Sequence, residues 1–144
     1  MGQQQLLLIV LSVIIVGVAV AVGVTQFQSS AVDANRQAVI GDLVNHAAKA
    51  QRYFRTPQEL GGGAQDFNGF ALGTLEGTNA NGTYNVTATA PTGNTVVSPG
   101  GSIGATATTI YVEGSGTETG NDGTNPVKVY VTVTANTITT TTLN

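Results

Sequence analysis

The sequence predicts an α+β protein: a long N-terminal helix, apolar in its first half and amphipathic in its second, packed on a small antiparallel β-sheet domain. Three observations predict it. Residues 6–24 form an uncharged apolar run, a single apolar stripe at helical spacing continues to Phe54, and period-two alternation takes over in the C-terminal half. The organisation that follows is a helix over 1–55, a hinge loop over 56–66 and a β-rich globular domain over 67–144.

The first element is the run Leu6, Leu7, Leu8, Ile9, Val10, Leu11, Ser12, Val13, Ile14, Ile15, Val16 and onward to Val24, in which Ser12 is the one polar side chain. Nineteen residues in a helix span roughly 28 Å, close to the hydrocarbon thickness of a bilayer. Lipid offers the backbone no partner, so the segment is helical there, although its many Val and Ile residues mildly disfavour a helix in water. Three roles suit such a run. A cleaved secretory signal has Ala19-Val20-Ala21 in its favour. Against it stand the length of the run and the lack of a preceding basic residue. A plain single-pass anchor and a helix that leaves the membrane to become a filament core are the other two.

The helix does not stop at the bilayer edge. Val32, Val39, Leu43, Ala47, Ala50 and Phe54 are spaced 7, 4, 4, 3 and 4 apart, one helical stripe and the expected docking face for the domain. Between them lie Asp33, Asn35, Arg36, Gln37, Asp42, Asn45, Lys49 and Gln51, expected to face solvent. Gly41 is the weak position, costing about 1 kcal/mol relative to Ala. Thr56-Pro57 ends the helix, because the residue before proline is pushed from helical geometry. Gly61-Gly62-Gly63 then reads as a flexible hinge. The helix is about fifty residues and near 75 Å long. An isolated anchor has no need of the amphipathic continuation; a subunit that buries the first half among neighbours does.

This layout resembles the type IV pilin superfamily, which comprises pilins, pseudopilins and archaeal-type relatives. The resemblance covers residues 1–55 closely and the remainder as a β-domain of similar size. It implies an extracellular filament whose identical subunits form a helical homopolymer, with the membrane as host before assembly. It also implies processing by a prepilin peptidase and the pilus assembly machinery. Met1 matches the methylated first residue of a mature pilin. Gln5 stands where the family has a glutamate that offsets a neighbour's N-terminal amine, and it can bond that amine without neutralising it. An alternative leader cut falls between Gly2 and Gln3. The proline common in the family near Val22 is missing, and Gly17 and Gly23 supply the local unwinding or simply ease helix approach. No Lys or Arg precedes Leu6, which fits a mature product whose basic leader has been removed.

In the C-terminal region Val127, Val129, Val131 and Val133 alternate with polar residues, the clearest strand in the chain. Asn136 marks a turn, and Thr137 to Leu143 returns as its partner. Thr83 to Ala90 alternates around Tyr84, Val86 and Ala88, joined by an Asn79–Gly82 hairpin turn to a strand at Ala71–Leu75. Thr106 to Val112 is a further strand. Pro91–Asn94, Ser98–Ser102 and Gly114–Pro126 read as loops. Four to five antiparallel strands follow, one face on the helix and one in water, with Phe67, Phe70 and Leu72 filling the joint.

Composition excludes several functions. Charged residues are 9% of the chain and basic residues number five, with a formal charge of −3, so no nucleic-acid interface is expected. Cysteine is absent and His46 is the single histidine, which removes disulfides, thiolate metal sites and two-histidine schemes. Asp42 lies one turn before His46, the spacing of a structural helix pair. No catalytic residue, metal or cofactor is expected. Glu113, Glu118, Asn121 and Asp122 suggest a solvated acidic loop rather than a calcium loop. Asn81 and Asn85 match the N-glycosylation acceptor pattern. Phe27, Tyr53 and Phe54 suit packing better than electron conduction.

The function expected is a structural subunit of an extracellular type IV pilus-like filament, polymerising through the N-terminal helix and displaying its β-domain for adhesion. The alternative is a membrane-anchored binding module that does not polymerise, or a minor pseudopilin of a secretion system. Neither is an enzyme.

Overall fold

The computed structural model describes residues 2–144. Helix α1 spans Gly2–Arg55, 54 residues, with the apolar half projecting away from the domain and the second half seated on it. Arg52 and Arg55 lie in its last turn, where cations complement the helix dipole. The strands are β1 (Ala71–Leu72), β2 (Gly82–Thr87), β3 (Gly101–Ser102), β4 (Thr109–Thr119), β5 (Pro126–Thr134) and β6 (Ile138–Thr142). β2, β4, β5 and β6 form an antiparallel four-stranded sheet in the order β2-β4-β5-β6, and β1 pairs with β3. The architecture is α+β, one long N-terminal helix against antiparallel sheets.

Alternation decides which face meets the helix. Tyr84 and Val86 on β2, Ile110 and Val112 on β4, and Val127, Val129, Val131 and Val133 on β5 are all buried on the side of α1, together with Val39, Leu43, Ala47, Ala50 and Phe54. Gly114 sits in the middle of this face, where an added Cβ would stand 2.9 Å from Val39 Cγ1 and 3.1 Å from the Tyr84 ring. Glycine there lets the helix approach the sheet.

Four expectations are corrected. Gly61-Gly62-Gly63 is not a flexible hinge. After a 3-10 turn at Gln58–Leu60, Gly63 N–H donates to Tyr53 O at 2.9 Å, Ala64 N–H to Thr56 O at 3.0 Å and Gln65 N–H to Phe54 O at 2.8 Å. Gly63 and Gln65 thereby satisfy the Tyr53 and Phe54 carbonyls that the helix end leaves free.

The segment Ala71–Leu75 does not form a hairpin with β2. Its first two residues pair with β3, Ala71 opposite Ser102. The turn itself is present, with Asn79 Oδ1 accepting from the backbone of Asn81 and Gly82, but it carries a single bridge, Thr78 to Thr83. The turn's amides are drawn instead to the helix, as described below.

The third correction concerns Gly114–Pro126, expected as a loop. β4 runs through it to Thr119, pairing with Lys128 at Ser115 and, after an irregularity, with Pro126 at Thr119. Glycines that look like loop residues here mark a bulged strand. Nor does the outer face of the sheet simply meet water: Lys128, on that face, is buried, beneath the segment that connects β2 to β3.

Candidate functional site

The apolar half of α1 is bare. Every large side chain from Leu6 to Val24 is more than half exposed, Leu7 at 70% and Val13 at 66%, and the most apolar window has mean hydropathy 3.1 with none of it buried. Two of its hydroxyls are satisfied within the helix: Ser12 Oγ donates to Leu8 O at 2.7 Å and Thr25 Oγ1 to Val22 O at 2.8 Å. Such back-bonding removes the cost of placing a hydroxyl in an apolar medium. The surface presented is continuous, apolar and long enough to cross a bilayer, which suggests membrane insertion or a signal sequence.

Gln5 lies exposed on the first turns, and no acidic residue is present in the first turn. Met1 lies outside the described residues. The helix runs unbroken through Gly17 and Gly23, and at both a Cβ would meet open space. Phe27 is 81% exposed, on the same free stretch.

The second half of the helix is held by a seam of apolar contacts fringed with polar ones. Val39, Leu43, Ala47 and Ala50 are fully buried, Phe54 nearly so, and Val32 packs at the edge. Phe54 meets Phe67 at 4.7 Å between ring centroids and Tyr53 meets Phe70 at 5.5 Å, so Phe67 and Phe70 close the lower joint, with buried Leu72 beside them.

The polar residues expected to face solvent include several that dock instead. Asn35 Nδ2 donates to Asn81 O at 2.9 Å, and its Oδ1 accepts from Thr117 N–H at 3.1 Å. Asp42 Oδ2 accepts from Tyr84 Oη at 2.7 Å and from Asn79 and Asn81 Nδ2 at 2.8 Å each. Lys49 Nζ pairs with Glu76 at 2.5 Å, and Gln51 Nε2 donates to Thr134 O at 3.0 Å. Arg55 reaches Ala135 O at 2.9 Å. The domain wraps further around the helix than the apolar stripe implies, so the flanks of the stripe become interface.

Burial pushes the Asp42 carboxyl up, but the donors Asn81, Tyr84 and Asn79 outweigh it and hold the group below its ordinary range. The expected Asp42–His46 pair survives as a charge attraction, while the hydrogen bonds to Asp42 come from Tyr84, Asn79 and Asn81. Asp42 turns to the sheet, and the His46 ring packs on Tyr84 at 5.2 Å. Burial lowers the His46 pKa, with Glu76 and Asp42 opposing. The same burial, reinforced by Asp42, raises that of Tyr84.

The acidic residues of the presumed 113–122 loop are separated. Glu113 pairs with Lys128 across strands. Asp122 accepts from Asn125 and from the backbone of Thr124 within its own turn, which lowers its pKa. Among the described residues no group of three carboxylate or histidine side chains could hold a metal. Both sequon asparagines have committed amides, Asn81 on Asp42 and Asn85 on Glu113 Oε1 at 3.1 Å. Sequence patterns could not reveal the Asn81–Asp42, Asn85–Glu113 and Glu113–Lys128 pairings, since each joins residues distant along the chain.

The fold is thus one long helix, apolar along its free half, packed on an antiparallel sheet, an arrangement compatible with a pilin-like architecture. No protein family, curated protein or solved structure matches the chain.

Proposed function

We propose that this chain is the structural subunit of an extracellular type IV pilus-like filament. One observation carries the reading: a single unbroken helix, Gly2–Arg55, bears an apolar half with no partner and a second half clamped to its own domain. Apolar surface of that extent needs lipid or neighbouring helices to cover it. A rigid continuation into the domain would hold every subunit at one fixed angle to such a core. In this reading the chain waits in the inner membrane, passes through a prepilin peptidase and the assembly machinery, and packs with identical subunits outside the cell. The β-domain then faces outward for adhesion or surface interaction, and no reaction is catalysed.

Gln5 favours the second reading, a membrane-anchored module or minor pseudopilin that does not polymerise. A neutral amide, with no acidic residue in the first turn, supplies no charge to offset a neighbour's amine. Electron microscopy of sheared surface material separates the two. Thin filaments containing this polypeptide, lost in Val13→Asp, support the first reading. Recovery of the protein solely as membrane-bound monomer overturns it. Mass analysis of the native N-terminal peptide tests the processing step.

A further inference from the structure

The chain between β2 and β3 forms a strap across the outer face of the four-stranded sheet. Its tip is tied down by Asn94 Nδ2, 3.3 Å from Asp122 Oδ2 in the β4–β5 turn, and Val97 of the strap itself is buried. Strap and sheet border a solvent-open cavity of about 390 Å³.

Three adjacent strands build one wall of this cavity. Lys128 Nζ on β5 lies 3.3 Å from Glu113 Oε2 on β4, with the side chains 5% and 12% exposed. Asn85 Nδ2 on β2 donates to the other oxygen, Glu113 Oε1, at 3.1 Å. A buried ion pair is weak as a stabilising device, because desolvation offsets most of the attraction. In a chain this poor in charge, the pair gives the cavity wall a charged anchor for a polar ligand. The opposite wall carries the hydroxyls of Thr89, Thr92, Thr95 and Ser98, none with its hydroxyl hydrogen-bonded in the chain among the described residues.

The chemistry narrows the occupant. An anion would meet the Glu113 carboxylate, and a cation would meet the Lys128 ammonium. An apolar ligand would strand the hydroxyls. A vicinal diol fits all of them: one hydroxyl donates to the carboxylate while its neighbour accepts from the ammonium, and the threonines serve the remaining hydroxyls. Both bonds to the ion pair are charge-assisted.

We propose that the cavity between the strap and the sheet binds a neutral pyranose unit, through a vicinal diol set on Glu113 and Lys128. This goes beyond the filament reading and does not depend on polymerisation.

The test uses the full chain in a zwitterionic detergent lacking a sugar headgroup, titrated with D-glucose, D-galactose, D-mannose and N-acetyl-D-glucosamine. Amide resonances of Thr92, Thr95, Val97 and Lys128 are followed by NMR. The expected result is a saturable shift at these amides with at least one sugar, weakened about tenfold or more in Glu113→Gln through loss of the charge-assisted bond. Thr92→Val/Thr95→Val, on the exposed strap, should also weaken binding without disturbing the sheet, so a loss there cannot be ascribed to unfolding. No shift with any of the four sugars overturns the proposal. So does equal affinity in the parent and in both variants. Filament formation plays no part in either measurement, so failure of the filament reading leaves this result standing and failure here leaves that reading standing.

Discussion

Tyr84 in β2 donates its hydroxyl to the carboxylate of Asp42 in α1 at 2.7 Å, the centre of the polar contacts that lock the helix to the sheet. Asn79 and Asn81 complete the ring of donors. Tyr84→Phe removes one hydrogen bond to a charged partner and is expected to destabilise the domain by about 1.5–3 kcal/mol, and Asp42→Ala, which removes that bond and those from Asn79 and Asn81, by at least as much. Chemical denaturation of both single variants and the double variant checks this. The double should cost less than the sum, since the two share one bond.

The same cluster sets a pH dependence. The Asp42 pKa in the folded chain lies below its ordinary 3.8, so the unfolded chain binds the proton more tightly. Its contribution is fully present above pH 3.8 and is lost as pH falls through the folded value. His46 is depressed below its ordinary 6.5, and again the unfolded chain protonates first. Stability should therefore decline as pH drops below 6.5, and further at the acid end. Thermal melts of His46→Gln should lack the upper step and keep the lower one. An unchanged upper step would remove His46 from the account.

Two glycines in the docking region should respond in opposite directions. Gly114→Ala places a methyl against Val39 and Tyr84 and should cost about 1–3 kcal/mol by overpacking. Gly41→Ala, where a Cβ meets nothing within 4 Å, should stabilise the helix by about 0.5–1 kcal/mol. Paired denaturation curves decide it.

Truncation should separate the two halves of the helix. Leu43 is fully buried, and Leu43→Ala should cost the domain about 2–5 kcal/mol. Leu7→Ala and Val13→Asp touch only exposed surface, so the melting of the β-domain in detergent should match the parent. A shift in either would mean that the apolar half contributes to the domain fold.

The sequence by itself determined the helix and its change of character, since apolar spacing at 3.6 residues is a local property that needs no distant partner. It likewise determined β5, where four valines alternate with polar residues, and so the α+β class. Only the tertiary structure decided what the polar residues do. Asn35, Asp42 and Gln51 look solvated in the sequence and become docking contacts, because the domain wraps beyond the apolar stripe. Glycines 114 and 116 look like loop and lie in a strand, because close approach of the helix requires them. Glu113 and Lys128, 15 residues apart, meet because β4 and β5 pair in one register, and nothing local to either residue encodes that register.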